Sequence, residues 1–270
     1  FMRGLFPDAQ ARDHAVYGEL LTRVLGPTTG VFRHGEAAKP TIDAVPVLDG
    51  EELPVGLVIA ERYRITAELG RGGMGTVYLS EHVTVGRKVA VKVLTREWSA
   101  HETVARRFRD EARAASAAGH PNIVEVFDAG TLPDGRLYLV MEHLDGRSLY
   151  DELCNTGPMP IDRAVTIFRE IARGIAAAHA VGIIHRDLKP DNVMLVERAG
   201  GTVVKLLDFG IAASADRAAE ERRLTQPGHT LGTPEYMAPE QAKGRAPDAR
   251  VDVYALGAMF YELIAGMPPF

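Results

Sequence analysis

His185-Arg186-Asp187-Leu188-Lys189-Pro190-Asp191-Asn192 is the stretch on which the reading of this chain turns. Upstream of it, Ala164, Phe168, Ile171, Ile175 and Ala178 recur at helical spacing and mark one face of a long helix that ends near Gly182. Downstream, residues 193–196 and 203–207 read as two short strands rich in β-branched side chains. The second strand runs into Asp208-Phe209-Gly210, where the glycine permits an unusual backbone angle. A loop over 208–239 follows, and loops of that length inside compact domains are functional or disordered. As an isolated tripeptide Asp208-Phe209-Gly210 means little; after residues 185–192 it means a great deal.

Further out, Gly70-Arg71-Gly72-Gly73-Met74-Gly75 has the spacing G-x-G-x-x-G. Glycines so placed let backbone N–H groups approach phosphate oxygens that a Cβ would hold off. A dinucleotide-binding turn shares this spacing but opens a helix, whereas Thr76-Val77-Tyr78-Leu79 continues as a strand. A Walker loop ends in Gly-Lys-Ser/Thr, and Gly75 is followed by Thr76-Val77. A glycine hairpin without a ligand remains the plain alternative.

On the strand 88–94, alternation puts Ala90 and Lys92 on one face and Val89, Val91 and Val93 on the other. A solvated strand lysine is the ordinary reading of Lys92. Glu111 alters it, because this carboxylate lies between Phe108 and Ala115 on the apolar stripe of the next helix, 101–118. A bare carboxylate there is costly, and a cation from the neighbouring strand would neutralise it. Strands are also expected over 62–69, 76–80, 123–127 and 136–141, so five strands and one helix make a small lobe. After Gly146 the pattern turns helical, and 251–264 is apolar nearly all round, as suits a helix at the centre of a lobe.

With these segments in order, the chain resembles the protein kinase family, most closely bacterial serine/threonine kinases of the receptor type. Residues 185–192 reproduce the H-R-D-L-x-x-x-N loop, and Gly232-Thr233-Pro234-Glu235-Tyr236-Met237-Ala238-Pro239-Glu240 resembles the segment that receives a peptide substrate. The resemblance covers about 53–270. It implies an α+β, two-lobed fold with a five-stranded antiparallel N-lobe over 53–144 and a mainly helical C-lobe over 145–270.

It also implies roles. Asp187 orients the attacking hydroxyl and takes its proton, and Lys189 sits on the γ-phosphate. Lys92, held by Glu111, reaches the α- and β-phosphates. Asn192 and Asp208 hold magnesium, with manganese as an alternative, since these ions take oxygen ligands. ATP is cradled by Leu69, Gly70, Gly72 and Gly75. Val77, Ala90 and Met194 sandwich adenine behind the gatekeeper Met141, and Glu142 to Leu144 form the hinge. Arg186 receives a phosphate carried by Thr225 or Thr230, Thr233 bonds the catalytic loop, and Asp252 braces that loop.

The implied reaction is transfer of the γ-phosphoryl group of ATP to serine or threonine of proteins, with a kinase–kinase dimer as a route to autophosphorylation. Lys189 favours serine/threonine over tyrosine, and the segment 232–240 argues against a small-molecule acceptor. A binding module weakened by a C-lobe that stops short is the alternative. On that view Glu240 lacks its arginine partner, and Val253, Leu256, Phe260 and Leu263 are not all covered.

The remaining features are quieter. A net charge of −5 gives no basic excess for nucleic acid or anionic lipid. One cysteine, Cys154, excludes a disulfide framework and suits a reducing cytoplasm. The apolar stretch 251–270 is broken by Asp252, Glu262 and Pro268-Pro269, so no membrane segment is expected within the chain. An inner-membrane location would follow only from a segment beyond Phe270. Residues 1–52 read as a linker, with Val16, Leu20, Leu21, Val24 and Leu25 marking one short helix.

Overall fold

The computed structural model describes residues 50–270 apart from 103, 107, 110, 111, 113–117, 210–233 and 246. Phe1–Val47 and Leu48–Phe270 are separate units, and the helix expected near Val16 lies outside the described residues.

Strand β4 (Lys88–Leu94) shows how the first sheet is built, because both of its faces are covered. Val89, Val91 and Val93 enter one apolar cluster with Ile65, Tyr78 and Val140. Ala90 and Leu94 enter a second with Phe108, Leu139 and Met141. Lys92 is therefore carried on the same face as Ala90, as the alternation predicts. The other strands are β1 (Val58–Ile59), β2 (Tyr63–Gly72), β3 (Gly75–His82), β5 (Val126–Thr131) and β6 (Leu137–Glu142). They pair antiparallel in the order β1-β2-β3-β4-β6-β5.

Two differences from the expected five strands have local causes. β1 turns into β2 through Ala60 and Glu61, both at positive φ (48° and 56°). That is the tight-hairpin geometry usually signalled by Asn-Gly or Asp-Gly, and neither residue advertises it. The strand expected at 123–127 starts later, at Val126, because the backbone before it is engaged elsewhere. Val124 N–H donates to Leu206 O at 2.9 Å, and Leu206 N–H donates to Asn122 O at 2.8 Å.

Helix α1 (Arg96–Ala100) follows β4, and every described residue of 102, 104–106, 108, 109, 112 and 118 is helical. Beyond β6, the short strand β7 (Gly146–Ser148) pairs with β8 (Val193–Arg198), which pairs with β9 (Gly201–Leu206). Ser148 caps α2 (Leu149–Thr156) by accepting from Asp151 N–H at 3.0 Å.

Helix α3 (Ile161–Ala180) buries Ala164, Ile171, Ile175 and Ala178 as expected, and Phe168 packs partly against the same core. A short helix α4 (Pro239–Ala242) precedes α5 (Arg250–Ala265). In α5, Leu256 and Leu263 are buried and Phe260 is partly covered, while Val253 is 61% exposed. Among the described residues, none forms an ion pair with Glu240. The chemistry gathers where the β2–β3 hairpin overhangs the segment between α3 and β8.

Candidate active site

The roof of the site is the β2–β3 hairpin, in which Gly72 pairs with Gly75. Its glycines serve two purposes. A Cβ on Gly75 would lie 2.1 Å from Val93 O, so the fold itself requires glycine there. A Cβ on Gly70 or Gly73 would meet nothing within 4 Å. Packing does not demand glycine at those two positions; without a Cβ, the loop lets an anion approach its backbone. Beneath the hairpin is a cavity of about 330 Å³. Its lining combines hairpin residues 70–75 and Val77 with Lys92, Asp187, Lys189, Asn192 and Asp208.

Lys92 Nζ lies 2.7 Å from Asp208 Oδ1. Burial works to raise the Asp208 carboxyl, but the Lys92 ammonium outweighs it and holds the group below the usual carboxylate range. Asp208 itself has positive φ (47°), a strain the sequence reading assigned to Gly210, which lies outside the described residues. Glu111, the expected partner of Lys92, also lies outside them.

The segment 185–192 is held from below by Asp252, whose side chain is inaccessible to solvent. Its Oδ2 accepts from His185 N–H and its Oδ1 from Arg186 N–H, each at 2.8 Å. His179 Nε2 reaches Oδ2 at 2.7 Å. The His185 ring donates from Nε2 to Leu207 O at 2.9 Å and packs on Phe209, centroids 4.7 Å apart. Burial pushes His185 below its ordinary value, so the ring is neutral. These bonds tie residues 185–186 to the backbone just before Asp208. Asn192 Nδ2 donates to Asp187 O at 2.7 Å and to Asp187 Oδ2 at 3.1 Å, and Lys189 Nζ lies 3.3 Å from the same Oδ2.

The protein kinase domain family matches residues 63–270. This chain belongs to the protein kinase family. Among curated relatives, serine/threonine-protein kinase pkn2 of Myxococcus xanthus is 48% identical over 217 residues, covering 80% of this chain and 26% of the relative. Serine/threonine-protein kinase Pkn1 of the same organism is 46% identical over 239 residues, covering 88% and 33%. PknB of Mycobacterium leprae is 41% identical over 219 residues, covering 78% and 34%. The chain thus spans about a quarter to a third of the length of these relatives. The solved PknI kinase domain of Mycobacterium tuberculosis superposes with a TM-score of 0.66 at 31% identity, covering 81% of this chain and 80% of that one.

Of the residues expected to contact adenine, Val77 lines the 330 Å³ cavity, and Ala90, Met141, Glu142, Leu144 and Met194 are not among its lining. Ala90 and Met141 are strand partners, both buried, and Val77 and Leu144 pack against their cluster. Met194 is half-buried on β8, and Leu69 is about half exposed on β2. The Glu142 side chain is engaged by Lys205 Nζ and by Glu125 N–H. Lys205 was not anticipated; it also donates to Ile123 O at 3.3 Å. His179 was missed too, although it directly follows Ala178 on the helical stripe.

Arg186 has positive φ (65°), and its Nε is buried without a hydrogen-bond partner among the described residues. Gln241 Nε2 donates to its carbonyl at 3.0 Å. Thr225, Thr230 and Thr233 lie outside the described residues. Among the described residues no cluster of three or more His, Cys, Asp or Glu side chains could hold a metal alone. A hard cation at Asn192 and Asp208 would complete its shell with phosphate oxygens and water, which is how magnesium is usually held.

Proposed function

We propose that this kinase domain transfers the γ-phosphoryl group of ATP to serine or threonine hydroxyls of proteins. The observation that carries the reading is the convergence of the Lys92–Asp208 pair, Asp187 and Asn192 beneath a glycine hairpin whose open positions packing does not explain. Phosphoryl transfer asks a protein mainly for alignment and charge neutralisation, and both are on offer here.

Lys92 and the hairpin amides hold the phosphates. Asp187, oriented through Asn192 and Lys189, accepts the proton of the attacking hydroxyl. The new bond joins that oxygen to the γ-phosphorus, while the bond to the bridging oxygen breaks and ADP leaves. Lys189 offsets charge on the moving group. Asn192, with its amide nitrogen committed to Asp187, and the Asp208 carboxylate would hold magnesium through oxygen, and manganese would suit the same oxygens. Bound there, the metal neutralises charge on the phosphate oxygens. Adenine sits against Val77, Ala90, Met141, Leu144 and Met194, with Leu69 above and the Glu142 backbone at the hinge.

Arg186 Nε, buried without a partner among the described residues, supports a regulatory role in which phosphate on Thr225 or Thr230 orders the loop through charge-assisted bonds. Thr233 belongs with the peptide-docking segment. Protein substrates, autophosphorylation through a kinase–kinase contact and a cytoplasmic setting complete the proposal. No described helix is long and apolar enough to cross a membrane.

The test is phosphoamino-acid analysis after incubation with γ-labelled ATP, magnesium and a protein acceptor. Label on phosphoserine and phosphothreonine is expected, and label confined to phosphotyrosine or to a small molecule would overturn the reading. Mass spectrometry of the active enzyme should find phosphate on Thr225, Thr230 or both. Full activity in the double Thr→Ala variant would remove the switch.

A further inference from the structure

The two arms of the glycine hairpin are secured very differently. On the side leading into β3 and β4, Met74 O accepts from Thr95 N–H at 3.0 Å, and Gly73 O accepts from Trp98 Nε1 at 3.2 Å. Gly75 is pressed against Val93 O, where even a Cβ could not enter. The arm from Glu68 to Gly72 is exposed along its whole length, and its register with β3 slips between Glu68 and Gly70. Gly70 and Gly72 offer no side chain to hold it. Arg71 does. Its Nη2 lies 2.8 Å from Glu68 Oε2 and 2.8 Å from Glu52 Oε1.

These two carboxylates are not equivalent. Glu68 belongs to the same arm, so its bond to Arg71 ties the loop only to itself. Glu52 comes from the segment ahead of β1, before the first residue of the family match at 63. That segment is anchored on both sides of Glu52. Glu51 O accepts from the fully buried guanidinium of Arg136, which is itself paired with Asp134 at 2.7 Å. Leu53 N–H donates to Tyr78 OH at 3.0 Å, and the Leu53 side chain is buried in the rear cluster. The arm pairs with β3 through its backbone (Gly70 with Val77, Arg71 with Thr76, Gly72 with Gly75), and among the described residues Glu52 adds the side-chain ion pair that joins it to the back of the sheet.

We infer that Glu52 and Arg71 are positioning residues for the nucleotide: residues 51–53 form a strap that holds the phosphate-facing loop down through this ion pair. The inference rests on the proposed phosphoryl-transfer function for its meaning. Its test does not need turnover, because nucleotide affinity can be read directly.

Equilibrium titration of the full chain with magnesium–ADP should show Glu52→Gln weakening binding by about two- to fivefold, the range open to an exposed ion pair. The steady-state counterpart is a matching rise in KM for ATP with kcat and the KM for protein substrate unchanged. Raising salt should erase the difference between wild type and variant. Arg71→Gln should weaken binding too, and adding Glu52→Gln to it should cost little more, a non-additivity that two independent losses would not show. Thermal midpoints of all variants should stay together, since these side chains are exposed. Wild-type affinity in Glu52→Gln, or fully additive losses in the double variant, would overturn the strap. Absence of phosphoryl transfer with the affinity pattern intact would instead count against the proposed function.

Discussion

Asp252 places a carboxylate in the first turn of a mostly apolar helix, with no accessible surface, and both its oxygens accept from the backbone of residues 185 and 186. A buried acceptor that satisfies two amides is expensive to remove, because both donors are then left without partners. Asp252→Ala should lower unfolding free energy in urea by about 2–4 kcal/mol, and Asp252→Asn, which keeps one acceptor, should cost less. His185 supplies a pH signature at the same scale. Its folded value lies below the ordinary one through burial, so as pH falls the unfolded chain takes up this proton first. Stability from this group is whole above about pH 6.5 and is lost progressively below it. Asp208 is depressed as well, with burial opposing and Lys92 prevailing, but its contribution fades only at more acidic pH. Between pH 7 and 5 the urea midpoint should therefore drop, and His185→Gln should flatten that drop. An unchanged slope in the variant would contradict the neutral buried ring. Asp187 and Asn192 could be picked from the sequence because they lie in the unusual string 185–192, Asp208 because its tripeptide follows that string, and Lys92 because Glu111 on the next helix calls for a cation. His179 and Lys205 could not, since a single histidine on a helix and a single lysine on a strand look like ordinary surface residues.

At the scale of elements, the hairpin separates structural glycine from functional glycine. Gly75→Ala pushes a Cβ onto Val93 O, an overpacking that should cost about 1–3 kcal/mol and appear as a lower thermal midpoint. Gly70→Ala meets no protein atom, so its midpoint should stay near wild type while the KM for ATP rises. Equal losses of stability in the two variants would refute the distinction. The elements themselves were readable wherever apolar periodicity was strong: β4 has the expected bounds, and α3 and α5 lie within a few residues of them. They were unreadable where a turn or a tertiary bond decided the outcome. β1 depends on positive φ at Ala60 and Glu61, residues with no special preference for it. The late start of β5 reflects backbone bonds to Leu206, about 80 residues away in sequence. Glu111 and the phosphorylatable threonines fall outside the described residues, so those expectations stand as proposals.

Over the whole unit from Leu48 to Phe270, the first sheet and the segments flanking the second line the cavity, and a few polar contacts join the two sheets. Lys205 on β9 grips Glu142 at the end of β6, and Asn122 Nδ2 donates to Val204 O at 2.9 Å and to Glu170 Oε2 at 3.1 Å. Lys92 and Asp208 close the same junction from inside the site. The two-part plan was legible because a β-rich stretch gives way to a helical one after Gly146, but the polar pins at the junction follow no periodic pattern. If this assembly exists to move a phosphoryl group, chemistry and nucleotide binding should separate cleanly at Asp187. The decisive measurement compares wild type and Asp187→Asn for γ-phosphoryl transfer to protein and, in the same preparations, for equilibrium ATP affinity. The expected result is a loss of transfer by about three or more powers of ten with ATP affinity within a few-fold of wild type. Near-normal transfer by Asp187→Asn would contradict the account.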